Sequence, residues 1–137
     1  MYHVFTDGSS FSNPGLAGIG FVIYDDSNKV IYSYSEGIGV ATNNSAEYQA
    51  VYSALLWCID HNITEATFHS DSMLVVNQIN GLWKINDADL KRYKNEIDKL
   101  ILKMKDFKLV YVPREHNIVA DNLAREGARK NKEFVKK

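Results

Sequence analysis

Four acidic residues carry the chemistry open to this sequence. Asp7 closes the run Val4-Phe5-Thr6-Asp7, whose apolar, β-branched and aromatic residues predict a strand that Gly8 breaks, so that a carboxylate is delivered to the strand's rim. Glu47 follows Asn43-Asn44-Ser45-Ala46, Asp71 stands in His69-Ser70-Asp71-Ser72, and Asp121 in Ala120-Asp121-Asn122-Leu123-Ala124. Brought together, four carboxylates repel and raise one another's pKa unless something positive sits among them. Hard oxygen donors, with no His or Cys at ligand spacing, favour Mg²⁺, with Mn²⁺ as substitute, over zinc. Two such ions about 4 Å apart can drive in-line attack on a phosphodiester, one activating water and the other steadying the leaving 3′ oxygen. Glu47 alone has a plainer explanation, as a capping or dipole partner in the first turn of a helix.

The elements that must hold these residues follow from periodicity. Residues 2–7 predict a first strand, Asn13-Pro14-Gly15 a turn, Ala17–Tyr24 a second strand, Asp25–Asn28 a hairpin turn and Val30–Glu36 a third strand. The period then changes. Tyr48, Val51, Tyr52, Leu55, Leu56 and Ile59 recur at helical spacing from Asn44 to about His61, with Asn43 or Asn44 as N-cap. Thr64–Ser70 predicts a strand, Ser72–Asn80 a short helix, Asp87 to about Met104 a longer one, Phe107–Val112 a fifth strand and Ile118 to about Arg129 a last helix. A meander followed by alternating helix and strand implies an α/β fold with a mixed sheet, helices on its faces, and Asp7 and Asp71 ending neighbouring central strands. The glycines at 15, 18 and 20 introduce no helix, which argues against a dinucleotide cofactor.

Composition sets limits on the function. The 137 residues fit a single domain, 1–137, with 131–137 expected to fray, and 45% hydrophobic content is ordinary for a globular protein. No apolar run is long enough to span a membrane, Met1-Tyr2-His3 lacks a signal layout, and the lone Cys58 forms no internal disulfide, so a reducing, cytoplasmic setting is expected. The net charge of −1 conceals an asymmetry: residues 1–102 hold 6 basic and 12 acidic side chains, residues 103–137 hold 10 and 5. A basic final quarter beside an acidic pocket is what a phosphate-facing surface would need. The near-neutral total argues against nucleic-acid binding by charge alone.

Taken in order, Thr6-Asp7-Gly8-Ser9 with Asn13-Pro14-Gly15, Thr42-Asn43-Asn44 with Glu47, Ser70-Asp71-Ser72, and Ala120-Asp121 with Leu123-Ala124 resemble type 1 ribonuclease H over almost the whole chain. The resemblance implies a five-stranded mixed sheet, three antiparallel strands then two parallel, flanked by helices. It also implies a metal-dependent endonuclease that hydrolyses the RNA strand of RNA–DNA hybrids with two Mg²⁺ ions, leaving 5′-phosphate and 3′-hydroxyl ends. By position, Asp7, Glu47, Asp71 and Asp121 match its metal-binding catalytic carboxylates. Asn13, Asn43 and Asn44 match residues that meet the minor groove, where the 2′-hydroxyl marks RNA, and Gly8 and Ser9 accompany them. Thr42 resembles a residue that helps hold a DNA phosphate, and Trp83 and Lys84 could stack on or grip the DNA strand. The alternatives are a catalytically weak homologue that only binds hybrid or duplex, and another nuclease of the same fold.

Two departures bear on that assignment. Many relatives carry a long basic protrusion where this chain has only Gly81–Asn86, so modest, salt-sensitive hybrid affinity is expected, as for a compact monomeric form without an N-terminal hybrid-binding domain. Relatives often place a mobile-loop His shortly before their last acidic residue. Here Leu109 or Tyr111 occupies that neighbourhood, the loop is shortened to Pro113–Asn117, and Arg114 or His116 is the candidate to fill the role.

Overall fold

A computed structural model describes residues 1–136 of the chain, with side chains through Asn131. Strands β1 (Tyr2–Ser10), β2 (Gly15–Tyr24) and β3 (Val30–Ala41) form the meander, followed by α1 (Asn43–Asp60), β4 (Glu65–Ser70), α2 (Met73–Ile79), α3 (Ala88–Ile101), β5 (Asp106–Tyr111) and α4 (Ile118–Lys136). The five strands lie in the order β3-β2-β1-β4-β5. β1 pairs antiparallel with β2 and β2 with β3, whereas β4 joins β1, and β5 joins β4, in parallel. This is the expected mixed sheet.

Alternation along β2 separates the two faces. Phe21 and Ile23 join Val4, Ala66, Phe68 and Leu109 on the face that packs against Tyr48, Val51, Leu55, Val75, Ile79, Leu90 and Ile97 of α1, α2 and α3. Each large apolar side chain buried there stabilises the fold by roughly 1.5–3 kcal/mol. The lone Cys58 is a buried thiol of this core, and burial pushes its pKa up to about 12.

The other face carries α4, and its packing explains the glycines of β2. A Cβ on Gly18 would strike the backbone of Ala124 and Ala128, and one on Gly20 the backbone of Ala124. These positions bring a helix close to a strand. Asp7 pairs with Gly20 across the β1–β2 ladder, so the close approach also brings the start of α4 towards Asp7.

Several boundaries differ from expectation for local reasons. β1 runs on to Ser10 and β3 to Ala41 because each continues to pair with β2 past the position where its apolar pattern ends. Thr42, not Asn43 or Asn44, caps α1, its Oγ1 accepting from the Ser45 N–H at 3.1 Å. Asp87 caps α3 through the N–H groups of Asp89 and Leu90, and α3 ends at Ile101. α4 continues past Arg129 to Lys136; the fraying expected for 131–137 falls mostly outside the described side chains.

Candidate active site

The parallel ladder between β1 and β4 ends at the pair Thr6–Ser70, so Asp7 and Asp71 are the next residues on adjacent chains. Asp71 leaves its strand there. Asp7 does not: β1 continues to Ser10 along β2, so Asp7 projects from within a strand, not from its end. Glu47 arrives from α1. It lies one or two residues deeper than expected, just past the first turn, because the helix opens at Asn43 behind the Thr42 cap. Gly8 makes the approach possible, since a Cβ there would collide with the backbone of Ala46 and Glu47, and its N–H donates to Glu47 Oε1 at 2.8 Å. Asp121 sits in the first turn of α4.

Carboxylate oxygens of Asp7, Glu47 and Asp71 all lie within 4.8 Å of one another. Asp7 is 5% exposed and Glu47 9%. Asp121 lines the same cavity of about 600 Å³, together with Ser9, Ser10, Asn43, Ser72, Arg114, Arg125 and Arg129. The four predicted carboxylates therefore converge, with one difference among them: Asp121 Oδ1 accepts from Arg125 Nε at 3.0 Å, while no ion pair neutralises the other three among the described residues.

Burial, then repulsion from Glu47 and Asp71, drives the Asp7 carboxyl far above the ordinary carboxylate range, and its contact with Asp121 adds to the shift. Glu47 is raised chiefly by burial and next by Asp71, against the lowering effect of hydrogen bonds from Asp7 and the Gly8 N–H. Asp71 is also raised by burial, opposed by a hydrogen bond from Asn117 and the charge of Arg114. Such a cluster is costly in isolation and gains from cations. An all-oxygen set this close, with two members buried and three without an ion pair among the described residues, fits hard divalent ions.

Asn117 was not singled out from the sequence. It is buried, its Nδ2 donates to the Thr6 carbonyl at 2.9 Å, and its backbone carbonyl accepts from the Asp121 N–H at 3.0 Å, so it ties β1, Asp71 and α4 together. Its place just before the last helical pattern is an N-cap signal that would have found it.

The other predicted residues divide into two groups. Gly8, Ser9 and Asn43 line the acidic cavity. Asn43 Oδ1 accepts from the Ser10 N–H and Asn13 Oδ1 from the Asn43 N–H, both at 3.0 Å, so these side chains bind the loop after β1 to the start of α1. Thr42 and Asn44 are exposed beside them or close in sequence to them, Thr42 holding the cap. Trp83 and Lys84 are exposed and line no part of this cavity; Trp83 is not a core residue. The shortened loop splits its two candidates. Arg114 faces the acidic cavity, whereas His116 faces a second cavity of about 460 Å³ lined by His3, Phe5, His69 and Tyr24.

The reverse transcriptase-like family model matches residues 5–127. Ribonuclease HI of Halobacterium salinarum is 37% identical over 90% of this chain and 62% of its own length. Its crystal structure superposes with a TM-score of 0.91 at 36% identity, covering 94% of this chain and 98% of the solved one. A bifunctional protein of Mycobacterium tuberculosis is 37% identical over 88% of this chain and 33% of its own length. The chain thus spans less than two thirds of these relatives. The RNase H1 called LC11, solved in complex with an RNA/DNA hybrid, superposes with a TM-score of 0.90 at 33% identity, covering 95% of this chain and 98% of that one.

Proposed function

Since the chain belongs to the type 1 ribonuclease H family, we propose that it is an endonuclease that hydrolyses the RNA strand of RNA–DNA hybrids, leaving 5′-phosphate and 3′-hydroxyl ends. One observation carries the reading: oxygens of Asp7, Glu47 and Asp71 within 4.8 Å of one another, the first two residues buried, open to a cavity that Asp121 completes. Those four residues would hold two Mg²⁺ ions, or Mn²⁺ in their place. When bound, such ions supply Lewis-acid activation of water and neutralise charge on the phosphodiester.

The remaining work belongs to the chain. Gly8 and Asn117 fix the carboxylates that the sheet and helices deliver, Gly8 through Glu47 and Asn117 through Asp71 and Asp121. Asn13 and Asn43 spend their carbonyl oxygens on backbone N–H groups, which leaves amide donors for the 2′-hydroxyl and base edges of the minor groove, with Asn44 beside them. The Thr42 oxygen accepts from Ser45, so its hydroxyl hydrogen remains to donate to a DNA phosphate. Gly8 and Ser9 present backbone close to the scissile site, and exposed Trp83 and Lys84 offer a stacking surface and a charge to the DNA strand. Arg114, which lines the acidic cavity, is better placed than His116 to serve as the loop residue, aiding product release as a fixed positive charge.

The test is cleavage of an end-labelled hybrid with and without Mg²⁺, beside double-stranded RNA, duplex DNA and a DNA junction. Mg²⁺-dependent cutting of the hybrid's RNA strand alone, with the stated end groups, is the expected result. Binding without cutting would identify a catalytically weak homologue, and preference for another substrate a different nuclease of this fold.

A further inference from the structure

Helix α4 buries Ala124 and Ala128 against β2 and turns Asp121, Arg125 and Arg129 towards the acidic cavity, four residues apart on one face. Successive members of that row stand about 6 Å apart along the helix axis. Both arginines are exposed and line the cavity that holds the carboxylates. Arg125 is committed to Asp121 through Nε, with its side chain 47% exposed against 17% for the aspartate; Arg129 has no ion pair among the described residues. A phosphate chain entering such a cavity meets negative charge at its floor and guanidinium forks at its edge, and a guanidinium binds phosphate in two-pronged fashion.

We propose that Arg125 and Arg129 form a phosphate track leading out of the acidic cavity, Arg129 as a standing contact and Arg125 as a guard that holds Asp121 until a divalent ion claims the same oxygen. The proposal rests on the hybrid-cutting reading of the site and adds residues that reading does not use. Arg125, once displaced, is left beside the phosphate that the ions engage. The Arg125 side of the ion pair is exposed enough for the pair to exchange at little cost.

Two measurements on purified protein test the two halves. In EDTA, anisotropy of a labelled RNA–DNA hybrid should show Arg129→Ala binding about 3- to 10-fold more weakly, with the salt dependence of log K shallower by about one, and Arg129→Lys restoring the salt slope but only part of the affinity. In calorimetric titrations of Mn²⁺ without nucleic acid, Arg125→Ala should bind the ion about 2- to 5-fold more tightly, a larger gain than Arg129→Ala, which removes the same charge without freeing Asp121. An unchanged salt slope in Arg129→Ala overturns the track. No gain in Arg125→Ala, or an equal gain in both variants, overturns the guard. Wild-type protein that binds no hybrid overturns the nuclease reading and the track with it, while the Mn²⁺ arm still reads the guard.

Discussion

Replacing Asp7 with Asn tests the acidic cluster most directly, because the side chain is 5% exposed and changes charge with little change in shape. Two full charges 4.8 Å apart repel by about 3.5 kcal/mol at an effective dielectric near 20. Without metal the fold avoids this by retaining a proton among the three carboxyls. Holding one carboxyl neutral at pH 7, when it ionises near 3.8 in the unfolded chain, costs about 4 kcal/mol at 1.36 kcal/mol per pH unit. Asn needs no proton, so Asp7→Asn should recover part of that cost, about 1–3 kcal/mol, or roughly 3–10 °C in Tm, in EDTA at pH 7. The sign with pH follows from proton binding. Above about pH 4 the folded cluster keeps protons that the unfolded chain has released, so wild-type stability falls as pH rises towards the raised folded-state pKa, and the variant's curve is flatter. Added Mg²⁺ should restore the wild type more than the variant. Cleavage should drop about 10²- to 10⁴-fold, the loss of several kcal/mol of charge stabilisation. Melting curves in EDTA from pH 5 to 8 and a labelled-hybrid assay give both readouts. A variant that melts below the wild type with the same pH slope, or that retains more than about a tenth of the rate, would refute the reasoning.

Gly8→Ala should lower stability by about 1–3 kcal/mol and weaken Mn²⁺ binding as well, because the added methyl forces α1 and Glu47 away from β1; melting and calorimetry together check this. Thr42→Ala should cost about 1 kcal/mol through loss of the α1 cap, with Thr42→Ser nearly neutral, read from chemical denaturation. Arg114→Ala should reduce kcat by about 10- to 100-fold, while His116→Ala leaves it near the wild-type value, since only Arg114 faces the acidic cavity. If neither substitution changes turnover, the loop assignment fails.

Much of the protein is written locally. Period-two runs in residues 2–36 and helical spacing from Tyr48 to Ile59 depend only on which side chains must be buried, so element order and sheet class could be read before any coordinates. The four carboxylates were legible as a set: Glu47 alone has a capping explanation, but acidic residues at strand ends and helix starts that one sheet can bring to a common rim point to shared chemistry. Tertiary structure decided the rest, because the deciding contacts join residues remote along the chain. Pairing with β2 carries β1 past Asp7, and close backbone approach at Gly8 lets Glu47 of α1 reach the site. Asn117 becomes a keystone only when α4 lies against β1, Arg114 parts from His116 only once the loop turns, and Trp83 proves exposed but away from the acidic cavity. Sequence pattern specifies which face of an element is buried; it does not specify which distant backbone it will meet, and that meeting places the oxygens of Asp7, Glu47 and Asp71 within reach of one another.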